Sequence, residues 1–482
     1  MMEQWSSRGG FLLAAIGSAV GIGNIWRFSA VVGQNGGGAY LIPYLFACVL
    51  CALPLMILEM AAGRAFQGDV VSVFRSTVRH GNILGWLICA VVFFILCYYL
   101  VITGWTLAFV FFSAAGMPEN FSAFTSSYQP LVFFVICALV TGATVSLGVK
   151  RGIERASWVL VPFIFLILAG MAIFATTLPG FDAGIRYFLS ADFSVLARPA
   201  IWSAALGQAF FSLSVGQGIL ITYGAYAGKK IDLVQSAVIV MVADISASML
   251  AGLVIFPVVF SSGLSPSIGA ELAFVTLPKA FLGMPYGYFV AIAFFSLLFV
   301  AALTSAISIL EVNIAAFLGV TRLSRGKICA VLTLLAILIG MPAALSYSAL
   351  DLSVAGARVL DLMDEIFGTT GLLLTAIITS LALSWCAGRD RIRNEMGEGK
   401  KIPGLVLWVC QWVIPSLLTF ALAFRIATNA DFPDWHMLPG TPFFCATTLV
   451  AVSGIVIGIL LLVILIFCRW RGDRCPWKRW LR

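Results

Sequence analysis

Charged side chains are scarce in this chain of 482 residues: Asp, Glu, Lys and Arg make up only 10% of it, whereas 61% of the residues are hydrophobic. A soluble domain carries about 25% charged residues. This deficit excludes an ordinary soluble protein and indicates one that crosses a membrane several times. Histidine is scarcer still. The two histidines, His80 and His436, lie in predicted loops, so we expect neither a metal cluster nor a histidine-based catalytic site.

Long polar segments are also lacking, which excludes a separate soluble domain. A transmembrane helix needs about 20 apolar residues, and we predict twelve such helices. They span residues 10–36, 39–67, 83–114, 129–147, 154–176, 196–226, 232–262, 284–318, 327–346, 358–386, 403–428 and 441–469. The segment Met1–Arg8 leads directly into the first of them, so no secretory signal peptide is expected.

The basic residues are distributed unevenly. The net charge is +8, and all but six of the 29 basic residues lie in or beside segments that become cytoplasmic if the first helix starts inside. Cytoplasmic loops of membrane proteins carry such an excess. The pattern predicts cytoplasmic termini and argues against a nucleic-acid partner. The short external loops favour the inner membrane of a prokaryote.

Three glycines interrupt the first apolar segment, in the run Gly17-Ser-Ala-Val-Gly-Ile-Gly-Asn24. Each glycine costs a helix about 1 kcal/mol relative to alanine, so a break is predicted there. A second break is predicted at Leu213-Ser-Val-Gly-Gln-Gly218. Two interrupted helices in corresponding halves of a membrane protein indicate a transporter binding site. For either break alone, a glycine-rich helix-packing motif is the alternative.

The breaks fall in the first and sixth predicted helices, which divides the first ten helices into two halves of five. An odd number of helices per half inverts the second half relative to the first. We therefore predict an all-α integral membrane fold of about 12 transmembrane helices with a 5+5 inverted repeat. The repeats occupy residues 1–176 and 196–386, and residues 387–482 add two peripheral helices and a basic cytoplasmic tail.

Helix ends inside a membrane protein favour ions, because half-helix N-termini attract anions and C-terminal carbonyls attract cations. At the first break, the carbonyls of Gly17, Ala19 and Val20 and the side-chain oxygen of Asn24 are candidate cation ligands. A zwitterionic amino acid and Na⁺ would suit such a site together.

Two hydroxyl residues of the eighth helix, Thr304 and Ser305, are further candidate ligands, since Na⁺ prefers hard oxygen donors. The alternative is that both hydroxyls only hydrogen-bond to the preceding turn of their own helix.

Ionisable residues within membrane segments are rare and mark functional sites. The predicted helices contain the acids Glu59, Asp244, Glu311 and Asp364, and Arg27 lies one turn beyond the first break. Asp364 is a candidate partner for Arg27. The alternative for each residue is a structural hydrogen bond or a position at the membrane interface.

Several motifs together resemble the neurotransmitter:sodium symporter family from about Trp5 to the twelfth helix. They are Arg8-Gly-Gly-Phe through Gly17-Ser-Ala-Val-Gly-Ile-Gly-Asn-Ile-Trp-Arg-Phe28, Asn35-Gly-Gly-Gly-Ala39, Pro54-Leu-Met-Ile-Leu-Glu59 with Gly63-Arg64, Gln208-Ala-Phe-Phe-Ser-Leu-Ser214, Phe274-Val-Thr-Leu-Pro278 and Leu303-Thr-Ser305. The resemblance implies the fold of the bacterial leucine transporter.

The same resemblance implies a role for each matching residue. The substrate site comprises Ser18, Ala19, Gly21, Gly23, Ile95, Tyr99, Phe211, Ser212, Ser214, Gln217, Ser305 and Ile309, with Tyr99 on the substrate carboxylate and Phe211 as an aromatic lid. A first sodium site comprises Ala19, Asn24 and Ser212 beside Asp244, and a second comprises Gly17, Val20, Ala301, Thr304 and Ser305. Arg27, Gln208 and Asp364 form the outer gate, and Glu59 ties the two breaks together.

The chain also departs from the family pattern. Asp244 stands near a position where many relatives have a neutral asparagine, and with Ser248 one turn away its carboxylate could replace the chloride of chloride-dependent relatives. Gly21 replaces the aspartate with which monoamine carriers bind the substrate amine. Gln217 replaces an apolar or aromatic pocket residue.

The inner gate departs further. Met2 stands where relatives often have a basic residue, and the acidic partner is replaced by Gly319 or Val320. Inward closure must therefore rest on other contacts, and the role of Glu311 is open at this point.

We predict a sodium-coupled, chloride-independent symporter of a neutral or hydrophobic L-amino acid, with two Na⁺ ions and an alternating-access cycle in a lipid bilayer. Two alternatives stay open: a proton- or cation-coupled carrier of another small solute with the same fold, and an amino-acid sensor that does not transport. An enzyme is not expected, because no nucleophile–base pair or metal-ligand set is visible. The oligomeric state is open.

Overall fold

Long apolar helices dominate the computed structural model, which describes residues 3–116, 120–190, 192–264, 273–284, 286–354, 356–397 and 402–428. Within these residues, nine continuous helices are long and apolar enough to cross a membrane. They are Gly37–Phe66, Gly81–Ala115, Gln129–Ser146, Val149–Ala175, Leu233–Ser261, Gly287–Val320, Arg325–Leu345, Val359–Cys386 and Ile402–Arg425. These are the predicted helices two to five and seven to eleven. The predicted twelfth helix, residues 441–469, lies outside the described residues, so the count of twelve stays a prediction.

The first and sixth spans are interrupted where the glycines predict it. The first consists of Arg8–Ala19 and Gly23–Gln34, whose axes differ by 51°. The sixth consists of Pro199–Ser212 and Ile219–Ala225. Both breaks lie at membrane depth and are packed inside the protein, which is where irregular backbone is tolerated.

Short elements connect the spans. The helices among them are Val70–Thr77, Phe121–Ser126, Phe181–Leu189, Phe193–Ala197, Thr276–Leu282 and Arg389–Glu395. The strands Ser353–Val354 and Ala357–Arg358 pair antiparallel as a small hairpin before the tenth span. Side chains fix several helix starts: Asp69 and Asp232, for example, each accept a hydrogen bond from a backbone N–H of the first turn.

Polarity is distributed as a bilayer requires. Val159, Leu166 and Ile173 recur every seven residues along the fifth span and are about 70% exposed, so they present one apolar face to lipid. In contrast, Glu59 and Asp244 have no exposed surface at all. These two carboxylates thus point towards the interior of the protein.

Candidate functional site

The first break exposes backbone groups that a side chain then binds. The helix Arg8–Ala19 ends where Val20 adopts an extended conformation with ψ of 98°, and helical structure resumes at Gly23. The N–H of Gly21 donates to Oδ1 of Asn24 at 2.9 Å. The oxygen that we predicted as a cation ligand therefore accepts from the break itself.

Gly21 lies close to two hydroxyl side chains. A Cβ atom added there would lie 2.7 Å from Oγ of Ser305 and 3.2 Å from the hydroxyl oxygen of Tyr99. Any larger residue at this position would therefore require the side chains of Ser305 and Tyr99 to move.

The second break has the backbone of a left-handed turn. The helix ends at Ser212 and resumes at Ile219. Between them, Ser214, Gly216 and Gly218 have φ angles of 53°, 82° and 73°. Glycine adopts such angles without the steric cost that other residues meet, so the two glycines allow the helix to be interrupted within a few residues.

Glu59 binds the second break but not the first. Its Oε1 accepts a hydrogen bond from the N–H of Gly216 at 2.8 Å, while Oε2 has no hydrogen-bond partner among the described residues. The two breaks are instead joined by Ser214, whose hydroxyl donates to the carbonyl of Ser18 at 2.7 Å. The expected tie by Glu59 is therefore only half present, because the free N–H that reaches it belongs to the sixth span.

A small buried cavity lies between the breaks. Its volume is about 20 Å³, which is enough for about one water molecule. The lining consists of Ser18, Ala19, Gly21, Gly23, Ile95, Tyr99, Phe211, Ser212, Ser214, Gln217, Ser305 and Ile309. These are the twelve residues for which the sequence predicts a role in substrate binding, so the fold brings the whole set together around one space.

Asp244 forms the centre of a polar cluster beside this cavity. Its Oδ1 accepts hydrogen bonds from Nδ2 of Asn24 at 2.6 Å and from the hydroxyl of Ser212 at 2.8 Å. Its Oδ2 accepts from Tyr44 at 3.3 Å, and Nδ2 of Asn24 also donates to Ser248 at 3.0 Å. The predicted first sodium site and its neighbouring carboxylate are thus in direct contact.

All the donors to Asp244 are neutral. A carboxylate without a counter-charge is costly in a low-dielectric interior, so the cluster is suited to a nearby cation. Clusters of three or more His, Cys, Asp or Glu side chains are missing from the described part of the chain. The chemistry therefore favours an alkali cation held by carbonyl, hydroxyl and carboxylate oxygens over a transition metal.

The second predicted sodium site lies where the first span packs against the eighth. A Cβ atom on Gly17 would lie 3.4 Å from Cβ of Thr304, which shows how closely the two helices approach. Thr304 donates to the carbonyl of Ala301 at 3.0 Å, and Ser305 donates to the same carbonyl at 3.2 Å. The alternative of hydrogen bonds to the preceding turn is therefore observed. It is compatible with ion binding, because a hydroxyl that donates its one hydrogen keeps two lone pairs.

A cavity of about 950 Å³ opens above the central cavity, on the side predicted to be extracellular. Arg27 and Asp364 both line it, but no direct ion pair joins them. The guanidinium of Arg27 instead lies over the ring of Phe211, 4.6 Å from its centroid. Gln208 donates to the carbonyl of Gly23 at 2.8 Å and so holds the sixth span against the first break. The gate roles of these residues stay predictions.

The outer cavity also contains polar residues that sequence reasoning did not select. The hydroxyl of Tyr347 donates to Asp361 at 2.8 Å, and Arg358 lies over the ring of Tyr347. Burial raises the pKa of Tyr347, so the phenol stays protonated at neutral pH. The sequence offered no signal here, because these residues lie around a loop whose path depends on the tertiary structure.

On the predicted inner side, Glu311 belongs to a cluster of polar and charged residues. This buried carboxylate forms an ion pair with Arg325 and accepts a hydrogen bond from Tyr226 at 2.7 Å. Glu3 approaches Arg325 at 3.6 Å. We name Glu3, Tyr226, Glu311 and Arg325 the inner cluster.

The N-terminal segment closes over the inner cluster. The indole N–H of Trp5 donates to the carbonyl of Tyr223 at 3.1 Å, and its backbone N–H donates to the carbonyl of Tyr226 at 3.2 Å. Ser6 is bonded to the buried carboxylate of Glu154 through both its hydroxyl and its N–H. The segment that follows Met2 thus makes several hydrogen bonds in the region where the inner gate pair is predicted to be missing.

Comparison with known proteins identifies relatives of the whole chain. The sequence model of the Sodium:neurotransmitter symporter family matches residues 2–120 and 129–469. An uncharacterized sodium-dependent transporter of Methanocaldococcus jannaschii is 35% identical, over 89% of this chain and 91% of the relative. An uncharacterized sodium-dependent transporter of Bacillus subtilis is 33% identical, over 86% of this chain and 95% of the relative.

A solved structure extends the likeness to the fold. The crystal structure of MhsT in complex with L-phenylalanine superposes with a TM-score of 0.81 at 37% identity, covering 87% of this chain and 99% of that one. The predicted all-helical membrane fold of the leucine-transporter type is thereby confirmed.

Proposed function

The chain belongs to the sodium:neurotransmitter symporter family and is a sodium-dependent transporter, not an enzyme, and we propose that it carries a neutral L-amino acid together with Na⁺ by alternating access. The observation that carries this proposal is the cavity between the two helix breaks, lined by all twelve of the predicted substrate residues. The breaks supply N–H groups for a carboxylate and carbonyls for a cation in one place.

Three features favour an amino acid over a bare amine. Gly21 has no side chain that could neutralise an amine. Tyr99, whose hydroxyl lies beside Gly21, can donate to a carboxylate. The structure of MhsT, which is similar along almost its whole length, holds L-phenylalanine.

We assign one Na⁺ to the oxygens around Asn24, Ser212 and Asp244 and a second to those around Val20 and Thr304. The first ion would supply the positive charge that Asp244 lacks among its donors. With a fixed carboxylate there, transport should need no chloride.

The same proposal includes the arrangement in the membrane. We infer an inner-membrane protein with cytoplasmic termini and two inverted repeats, residues 1–176 and 196–386, from the basic residues and the two breaks. Residues 387–482 would then lie outside the repeats.

Uptake into proteoliposomes tests the proposal. Purified protein should accumulate a radiolabelled neutral amino acid when external Na⁺ is present, and choline in its place should abolish uptake. Linkage requires that Na⁺ and substrate strengthen each other's binding by the same factor. Equal substrate affinity in Na⁺ and choline would rule out sodium coupling, whereas sodium-dependent binding without flux would favour a sensor.

Chloride replacement tests the role of Asp244. Wild-type uptake should persist when gluconate replaces chloride. Asp244→Asn should impair uptake, and added chloride should restore part of it because Ser248 can help to hold the anion. Wild-type uptake that fails in gluconate would contradict this role.

A further inference from the structure

One side chain of the central cavity has no partner for its polar group. Gln217 is only 4% exposed and lines the cavity, yet its carboxamide makes no hydrogen bond to any residue that the structure describes. Because the carboxamide faces the cavity, its hydrogen bonds must be made by water or by a bound molecule. Its presence beside the substrate residues therefore points to a partner that arrives with the ligand.

The four serine hydroxyls of the lining are already engaged. Ser18 donates to Ala15, Ser212 donates to Asp244, and Ser214 donates to Ser18, all within 2.8 Å. Ser305 donates within its own helix. Gln217 thus differs from all four serines of the cavity, because both the donor and the acceptor of its amide are left for a bound molecule.

The backbone holds Gln217 in place. Gly216 and Gly218 on either side have positive φ angles, and the N–H of Gly216 is bonded to Glu59. A Cβ atom on Gly216 would lie 2.7 Å from Cβ of Ala376, and one on Gly218 would lie 2.5 Å from a methyl group of Val70. The turn that presents the amide is therefore packed on both sides and fixed before any ligand binds.

The charge of the lining restricts the ligand further. Asp, Glu, Lys, Arg and His are all missing from the twelve residues around the cavity. A charged substrate side chain would be buried there without a counter-charge, at high cost. Ile95 and Ile309 supply apolar walls. The pocket thus combines apolar walls with neutral polar groups, among which the Gln217 amide has both its donor and its acceptor free.

We propose that Gln217 selects an L-amino acid whose side chain is uncharged and carries a hydroxyl or a carboxamide. This inference rests on the proposed function, since it assumes that the cavity binds an amino acid. The side chain of the substrate would pair with the Gln217 amide, and an aliphatic side chain of the same shape would leave that amide unsatisfied. A site built to hydrogen-bond its substrate discriminates strongly against an analogue that lacks the group.

Binding of isosteric pairs to the purified protein in Na⁺ tests this inference. L-threonine is compared with L-valine, and L-asparagine with L-leucine. Leaving one buried polar group unpaired costs about 1–3 kcal/mol, or about 5- to 150-fold in affinity. The wild type should prefer the polar member of at least one pair by a factor in this range. Gln217→Leu should abolish or reverse that preference, and Gln217→Met should do the same if the leucine variant fails to fold.

The control is Gln129→Leu, the same chemical change at an exposed position at the start of the fourth span. It should leave the preference as in the wild type. Equal affinities within both pairs in the wild type, or an unchanged preference in both Gln217 variants, would overturn the inference while sodium-dependent amino-acid binding stood. Failure of every amino acid to bind in Na⁺ would instead overturn the proposed function.

Discussion

The cavities on the outer and inner sides differ in whether they share lining residues with the central cavity. Gly23, Tyr99 and Phe211 line both the central cavity and the outer cavity of about 950 Å³. An inner cavity of about 760 Å³, which contains Arg64 and Lys150, shares no lining residue with the central one. The central cavity is therefore bordered by the cavity on the predicted outer side and separated from the one on the predicted inner side.

The two sides also differ in how their charged residues are paired. Outside, Arg27 and Asp364 face a broad cavity without a direct ion pair. Inside, Arg325 and Glu311 form a buried ion pair beneath the N-terminal segment. A buried pair costs desolvation energy to form and is strongly destabilised if one partner is lost. Closure of the inner side therefore depends on few buried contacts. On the outer side, the contacts that would close it are not yet formed.

The largest effect is expected from Arg325→Ala. This change leaves Glu311 buried without a counter-charge, which destabilises the closed inner side by about 3–5 kcal/mol. Opening of the inner side lets water hydrate the Glu311 carboxylate, so the population of the inward-open state increases. Hydrogen exchange of residues 3–8 should become at least about 100-fold faster.

A double variant provides the control for Arg325. Glu311→Gln combined with Arg325→Met removes both charges and should regain most of the exchange protection, since a buried pair can be replaced by neutral residues at little cost. Equal exchange in Arg325→Ala and wild type would show that the ion pair does not hold the inner side closed.

A smaller effect is expected from Trp5→Phe. Phenylalanine keeps the aromatic packing against Tyr223 but loses the indole hydrogen bond to its carbonyl. The loss of one buried hydrogen bond should weaken inner closure by about 1–3 kcal/mol. Exchange of the same segment should rise by less than in Arg325→Ala, and a larger rise would place the main contact at Trp5.

The helices and their breaks could be predicted from sequence because their causes are local. The eighth helix, predicted at 284–318, spans Gly287–Val320, since its apolar length sets its ends. The breaks follow from glycines whose flexibility is independent of context. The cavity lining, by contrast, followed only from the resemblance to a family, because hydropathy cannot distinguish which face of a helix meets a ligand.

The charge pairs could not be predicted in the same way. Arg325 belongs to the basic residues assigned to the cytoplasmic face, and nothing in its sequence neighbourhood indicates that it reaches back to Glu311. Arg64 is a similar case, since it is 8% exposed and bonded to Glu395. For Arg27 and Asp364 the sequence suggests a pair, whereas in this structure both residues line the outer cavity without a direct ion pair. A sequence encodes all states of a transporter at once.

On the outer side, Arg27→Ala should affect transport more than binding. The guanidinium makes no ion pair with Asp364 in this state, so substrate affinity should change by less than about 1 kcal/mol. Closure needs the charge, and uptake should fall by about tenfold, or about 1.4 kcal/mol. Binding and uptake are measured side by side, with Arg27→Lys as the charge-preserving control. Unchanged uptake in Arg27→Ala would remove the gate role.

The smallest effect is expected from Glu3→Gln, which separates the N-terminal charge from the N-terminal hydrogen bonds. Glu3 lies 3.6 Å from Arg325 and its side chain is 44% exposed, so the pair should contribute only about 0.2–1 kcal/mol. Glutamine keeps an oxygen that can accept from the N–H of Val149, as Glu3 does at 2.6 Å. Exchange of residues 3–8 should therefore rise by about fivefold at most, and 1 M salt should produce a similar rise in the wild type by screening the exposed pair. A rise as large as that of Arg325→Ala would mean that Glu3, and not the buried pair with Glu311, supplies the charge that closes the inner side.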